Sequence, residues 1–147
     1  MTPELKLYIL EKEHPQVARA ITTRLRELLP AKVFTDTGEV RNLLNTFCQV
    51  RGVPMEMLKG QGPKMQVSRC RREFGAVMLL CYQPEKLYGY TQKCVQHGLP
   101  QAIAKELNCS YGTAKVLLRE VVVHYKVYQD FRNTVLNAHK TMLEPYL

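Results

Sequence analysis

Apolar residues recur along this chain at intervals of three and four residues, and no segment alternates apolar and polar residues as a half-buried strand does. From Pro15 to Pro30, for example, Val17, Ile21 and Leu25 fall on one side of a helix. Similar spacing returns at residues 40–50, 65–82, 99–107 and 111–124. The pattern therefore predicts an all-α fold, a multi-helix bundle.

Proline and glycine residues indicate where several of these helices begin and end. Pro15 suits the first position of a helix, where its missing N–H costs nothing, and Gly52 ends the helix that starts near Val40. Pro84 stops the helix of residues 65–82. Two further predictions are a short helix from Thr91 to His97 capped by Gly98, and a last helix from Phe131 to Glu144 capped by Asp130.

The composition is that of a globular chain without a membrane span. The chain has 147 residues, 46% of them hydrophobic, which suffices for one domain with a buried core. No uncharged apolar stretch approaches the roughly 18 residues of a transmembrane helix, and the acidic N-terminal segment does not resemble a signal peptide. The five cysteines are Cys48, Cys70, Cys81, Cys94 and Cys109, and no two of them form a C-x-x-C pair. We therefore expect reduced thiols, no bound metal and a cytoplasmic protein.

The charge of the chain is unevenly distributed. Lysine and arginine number 21 against 13 acidic residues, a net charge of +8. Residues 1–50 contain seven basic and six acidic side chains, whereas residues 51–147 contain fourteen and seven. We therefore predict an N-terminal helical extension over residues 1–50 and a basic domain over residues 51–147, or one continuous globular unit. The basic excess indicates a polyanionic partner, most often nucleic acid.

The most informative segment runs from Leu99 to Val122. It predicts a helix, a three-residue turn in which Asn108 can adopt the left-handed conformation, and a second helix capped by Ser110. This order is the helix-turn-helix pattern, whose second helix enters the DNA major groove. The exposed side chains able to contact bases or phosphates are Ser110, Tyr111, Thr113, Lys115 and Arg119.

A different interpretation of the same segment is a plain helical hairpin, because many proteins that do not bind DNA join two helices in this way. The chain would then be a helical protein–protein interaction module with incidental basic charge. Residues 1–50 are nearly neutral and carry two amphipathic helices. In either interpretation we expect residues 1–50 to pair with a second copy of the chain or with another protein.

The order of elements after residue 50 resembles the C-terminal DNA-binding domain of the bacterial replication initiator DnaA, which has a Trp-repressor-like fold. The resemblance covers roughly residues 50–140. The matching segments are MEMLKGQGPK for the approach and basic loop, VSRCRREFGAVMLL for the long helix, AIAKELN before the turn, and VLLREVVVHYKVYQDF after it.

This resemblance implies double-stranded DNA as the partner and a role in replication or transcription control. Lys59 and Lys64 would be loop contacts in the minor groove. Thr113 stands where the family has a threonine in its Asp-His-Thr-Thr-Val signature, although the surrounding residues differ here. The candidates for an arginine that binds phosphate are Arg69, Arg71 and Arg72.

The sequence gives no sign of catalytic chemistry. The P-loop of an ATPase, G-x-x-x-x-G-K-[ST], is absent, and the four histidines do not form an H-x-x-x-H or H-E-x-x-H pair. We therefore expect a protein that is not an enzyme, without catalytic residues, cofactor or bound metal.

Overall fold

A computed structural model describes residues 1–28, 33–88 and 94–146. The chain divides into two compact units, residues 1–32 and 33–147. Every regular element in the described residues is helical, which confirms the predicted all-α, multi-helix class. Within those residues, no helix is both long enough and apolar enough to cross a bilayer.

The first unit contains α1 (Pro3–Glu13) and α2 (Pro15–Leu28). Thr2 caps α1, because its hydroxyl accepts a hydrogen bond from the Leu5 N–H at 3.2 Å. Pro15 opens α2, as predicted, whereas the predicted end at Pro30 lies outside the described residues. Ala18 is the one buried side chain among residues 1–25. The apolar side chains of residues 1–25 therefore remain largely exposed.

The second unit is built around one long central helix. Residues 73–82 of this helix are all buried, and the two longest helices that follow it pack against it. Its elements are α3 (Val40–Arg51), α4 (Met55–Leu58), α5 (Lys64–Tyr82), α6 (Pro84–Leu87), α7 (Leu99–Leu107), α8 (Tyr111–Val127) and α9 (Gln129–Leu143), with 3₁₀ turns at Thr37–Glu39 and Glu144–Tyr146.

The boundary between the units differs from the boundary predicted after residue 50. Helix α3 belongs to the second unit, where Leu43, Leu44 and Phe47 are buried in the main core. The ring of Phe47 lies edge-on to that of Phe74 on α5, with 5.4 Å between the centroids. The predicted boundary is based on the near balance of basic and acidic residues over residues 1–50. This balance does not indicate where α3 packs, because the burial of α3 depends on its apolar face.

Two predicted helices also differ from the structure. Residues 91–93 of the predicted helix Thr91–His97 lie outside the described residues, and Cys94–Gln96 are not helical. Gly98, with φ of +87°, precedes α7 and does not end a helix before it. The break near residue 130 falls at Tyr128, whose extended backbone separates α8 from α9. Asp130 therefore lies in the first turn of α9 and does not cap it.

Candidate nucleic-acid interface

The turn between α7 and α8 follows the backbone path that the sequence predicts. Asn108 ends α7 in the left-handed conformation, with φ of +54°. The Cys109 N–H then donates to the carbonyl oxygen of Ala104 at 3.0 Å. Ser110 caps α8, because its Oγ accepts a hydrogen bond from the Thr113 N–H at 3.1 Å. These contacts fix the first turn of α8 at the protein surface.

Helix α8 buries one side and exposes the other. Ala114, Leu118 and Val121 are buried in the core. Lys115 Nζ lies 5.2 Å from the ring centre of Tyr111, one turn earlier. The exposed side chains at its beginning include no acid: Ser110, Tyr111, Gly112, Thr113, Lys115, Val116 and Arg119. All five sequence-predicted residues of this segment are therefore exposed, Ser110 as the cap of α8 and the other four on the helix itself.

A groove of about 630 Å³ lies between α8 and α5. The two helices approach closely at Gly75, where an added Cβ would lie 3.3 Å from Cγ1 of Val121. This groove brings four predicted residues together, Arg71 and Arg72 from α5 and Ser110 and Thr113 from the beginning of α8. The remaining lining residues are Ser68, Gly112, Val116, Leu117 and Glu120.

Arg72 is held against α8 by a short chain of hydrogen bonds. Its Nη1 lies 3.0 Å from Nε2 of His124, and Nδ1 of His124 lies 3.1 Å from the carbonyl oxygen of Glu120. Because a carbonyl oxygen only accepts, Nδ1 of His124 carries the hydrogen and Nε2 accepts from Arg72. Arg72 Nε also donates to the carbonyl oxygen of Ser68 at 3.3 Å. The guanidinium is thereby oriented along the wall of the groove.

Arg71 has a different place from its neighbour. Its Nε donates to the carbonyl oxygen of Leu58, and its Nη2 donates to the carbonyl oxygen of Leu107, both at 2.8 Å. The side chain thus joins α5 to the end of α4 and to the end of α7. Because a charged donor on two carbonyl oxygens is a strong structural contact, we assign Arg71 to the scaffold of the site and not to its contact surface.

The remaining predicted basic residues lie at the surface around the α4–α5 loop. Lys59 follows α4, Lys64 is the first residue of α5, and Arg69 lies in the second turn of α5; all three are exposed. The loop passes close to Arg71 at Gly60, whose φ of +96° favours glycine and whose added Cβ would lie 3.1 Å from Nη2 of Arg71. Arg71 thus holds the residue directly before the loop, Leu58, as well as the end of α7.

The acidic residue of α5 is neutralised within the fold. The carboxylate of Glu73 is buried and accepts hydrogen bonds from Arg51 on α3, at 3.0 Å from Nε and 3.3 Å from Nη2. Paired in this way, a buried carboxylate contributes little negative potential at the surface. The exposed part of α5 is consequently basic.

A second groove, of about 490 Å³, lies on the other side of α8. The predicted residues Tyr111, Lys115 and Arg119 line it. Two further basic residues, Lys86 and His97, also line it and are not predicted as site residues. Neither motif nor spacing points to these two residues, because they reach α8 only through tertiary packing. The groove is completed by Cys94, Val95, Gln96, Gly98, Pro100, Gln101 and Leu118.

The groups with a shifted pKa stay neutral near pH 7. Burial raises the pKa of the Cys81 thiol to about 12, and burial also raises the pKa of the Cys70 thiol. At the turn before α8, burial raises the pKa of Cys109, opposed by the nearby charge of Arg71. Among the described residues, no three histidine, cysteine or acidic side chains gather as metal ligands would.

Comparison of the chain with protein-family models, with curated proteins and with solved structures found no match.

Proposed function

We propose that this protein binds double-stranded DNA, with α7, the turn at residues 108–110 and α8 acting as a helix-turn-helix. In this proposal the first turns of α8 enter the major groove, which admits one α-helix. Residues 59–64 and the exposed start of α5 contact the phosphate backbone. The resemblance to the DNA-binding domain of the replication initiator supports this assignment, and with it a role in replication or transcription control.

The observation that carries the proposal is the charge around α8. Its exposed side chains from Ser110 to Arg119 include no acid, and basic side chains lie in the grooves on both of its flanks. The second unit as a whole has fifteen basic and nine acidic residues. A basic helix flanked by further cations complements a duplex, whose two phosphate backbones border the groove that receives the helix.

The residues of the interface divide by the part of DNA that they reach. Ser110, Tyr111 and Thr113, at the start of α8, are placed to meet base edges, as the first residues of a recognition helix do. The backbone contacts on the α5 side are then Lys59, Lys64, Arg69 and Arg72. Arg71 does not belong to them, since its Nε and Nη2 join α5 to the end of α4 and to the end of α7 at 2.8 Å each.

The experiment is a fluorescence-anisotropy titration of the full chain with a random-sequence duplex at several salt concentrations. If about six phosphates are contacted, the plot of log affinity against log salt should have a slope near −5. Lys64→Gln should weaken binding to all duplexes by the same factor, whereas Lys140→Gln, an exposed change on α9, is the matched control. Absence of binding at low salt would rule out the proposal.

A second function is supported by the exposed apolar side chains of the first unit. Leu5, Tyr8 and Val17 are 47%, 57% and 49% exposed, and a short helical unit with this many exposed apolar side chains gains stability by covering them with a partner. Helix α1 has three acidic and two basic residues, whereas α2 has three arginines and one acidic residue, so the two helices differ in the sign of their net charge. We propose that the pair α1–α2 associates with a second copy of itself, α1 against α2, which would present two DNA-binding units to one duplex.

A further inference from the structure

We infer that the groove between α8 and residues 94–101 binds the second phosphate backbone of the duplex, and that Lys86 and His97 are DNA-contacting residues together with Lys115 and Arg119. The inference rests on the proposed DNA-binding function and extends it. In this inference Lys115 and Arg119 contact phosphate groups. From the sequence alone, each of them could contact either a base or a phosphate.

The composition of the groove is the first argument. Lys86, Lys115 and Arg119 line it with His97, and no aspartate or glutamate is among the described residues of its lining. Like charges around one depression repel each other, and a cleft lined by one sign of charge concentrates counterions of the other sign. The groove is thus a site for an anion.

The position of the groove selects the anion. Tyr111, Lys115 and Arg119 belong both to the exposed side of α8 and to the wall of this groove. A helix about 10–12 Å across fills a major groove about 12 Å wide. Both bordering phosphate backbones then run along its flanks. One flank faces Arg72 on α5, and the other faces this groove.

The shape of the lining also favours a backbone contact. Lys115 Nζ lies over the ring of Tyr111, at 5.2 Å from its centre, and both residues line the groove, so this contact keeps the ammonium group at the groove wall. Lys86 is the penultimate residue of α6 and His97 immediately precedes Gly98, so both come from segments other than α8. Side chains from several separate segments can contact successive phosphates along one DNA strand, whereas recognition of a single base pair needs side chains that converge on one point.

The test compares Lys86→Gln and Lys115→Gln with the Lys140→Gln control in the same anisotropy titration. Each of the first two variants should bind several different duplexes more weakly by a common factor. Each should also reduce the magnitude of the salt slope by about 0.9, the contribution of one phosphate contact. Thermal unfolding of each variant checks that the fold is retained, and His97→Gln provides an additional variant at another segment of the groove.

Cys94 supplies an independent readout, because it is exposed and lines the groove. Duplex DNA should slow alkylation of Cys94 in the wild-type protein, whereas inorganic phosphate at an equal phosphate concentration should not. Equal protection by inorganic phosphate would identify a small-anion site and overturn the inference.

The outcomes separate the inference from the function on which it rests. Wild-type affinity and salt slope in Lys86→Gln and Lys115→Gln, with no protection of Cys94, would overturn the inference and leave DNA binding through the α5 side intact. A loss of affinity in Lys115→Gln for one duplex sequence only would assign a base contact instead. Failure of the wild-type chain to bind any duplex would overturn both.

Discussion

Arg71 on α5 donates a hydrogen bond to the carbonyl oxygen of Leu107, the last residue of α7, at 2.8 Å. The same guanidinium reaches the carbonyl oxygen of Leu58 at the end of α4. One side chain therefore holds together the central helix, the end of α4 and the helix that precedes the turn. Arg69 and Arg72 are the same residue type on the same helix, but their side chains leave α5 in other directions and do not reach these two carbonyl oxygens.

We predict that Arg71→Gln destabilises the protein while Arg69→Gln does not. Loss of two hydrogen bonds from a charged group should cost about 2–4 kcal/mol in the free energy of unfolding. The exposed Arg69 should change that free energy by less than about 0.5 kcal/mol and should weaken DNA binding instead. Urea unfolding and duplex titration of both variants measure these effects. An Arg71→Gln protein of normal stability and reduced DNA affinity would contradict the assignment.

The contact of α5 with α8 gives a second prediction. A Cβ at Gly75 would lie 3.3 Å from Cγ1 of Val121 and 3.4 Å from Cδ2 of Leu117, so the two γ-methyl groups of valine have no room. Gly75→Val should destabilise the protein by about 1–3 kcal/mol, the usual cost of overpacking. Gly75→Ala is the matched control and should have a smaller effect. Unfolding of Gly75→Val at the wild-type midpoint would show that the helices can separate without cost.

His139 makes the stability of the second unit depend on pH. It is 7% exposed, its Nε2 has no hydrogen-bond partner among the described residues, and burial lowers its pKa to about 4. Between pH 6.5 and 4 the unfolded chain binds a proton at this histidine that the folded chain does not. Stability contributed by the neutral side chain is therefore present above pH 6.5 and is lost as the pH falls through this window.

The loss at His139 should amount to about 2 kcal/mol between pH 7 and pH 5. His139→Leu should remove this part of the pH dependence and leave stability at pH 7 unchanged or slightly increased, since an unpaired buried nitrogen is removed. Urea unfolding of both proteins at the two pH values gives the comparison. Equal pH dependence in the two proteins would mean that folding does not lower the pKa of His139.

The association of the first unit gives a fourth prediction. Tyr8→Glu combined with Val17→Glu introduces charge on its exposed apolar side chains and should convert a dimer into a monomer. The unfolding of the second unit should not change, because neither residue belongs to that unit. Val127→Glu, an exposed change near the end of α8, is the control. Sedimentation of the full chain measures the mass, and a monomeric wild-type protein at tens of micromolar would contradict the proposal.

The sequence by itself determined the local features of this protein, which depend on residues close to one another along the chain. The three- and four-residue spacing of apolar side chains is enough to specify helices, because one apolar face must be buried. Pro15, Asn108 and Ser110 determined the start of α2 and the turn before α8 through their own backbone and side-chain chemistry. The exposed residues of α8 could be predicted for the same reason, since helical geometry alone separates them from Ala114 and Leu118.

Only the tertiary structure decided how residues from distant segments combine. The helix Val40–Arg51 could be predicted, but its place in the core with Phe74 depends on packing across the unit. The different roles of Arg69, Arg71 and Arg72 arise because successive residues of a helix point 100° apart and meet different neighbours. Lys86 and His97 join α8 in the same way, through contacts between segments that local spacing does not encode.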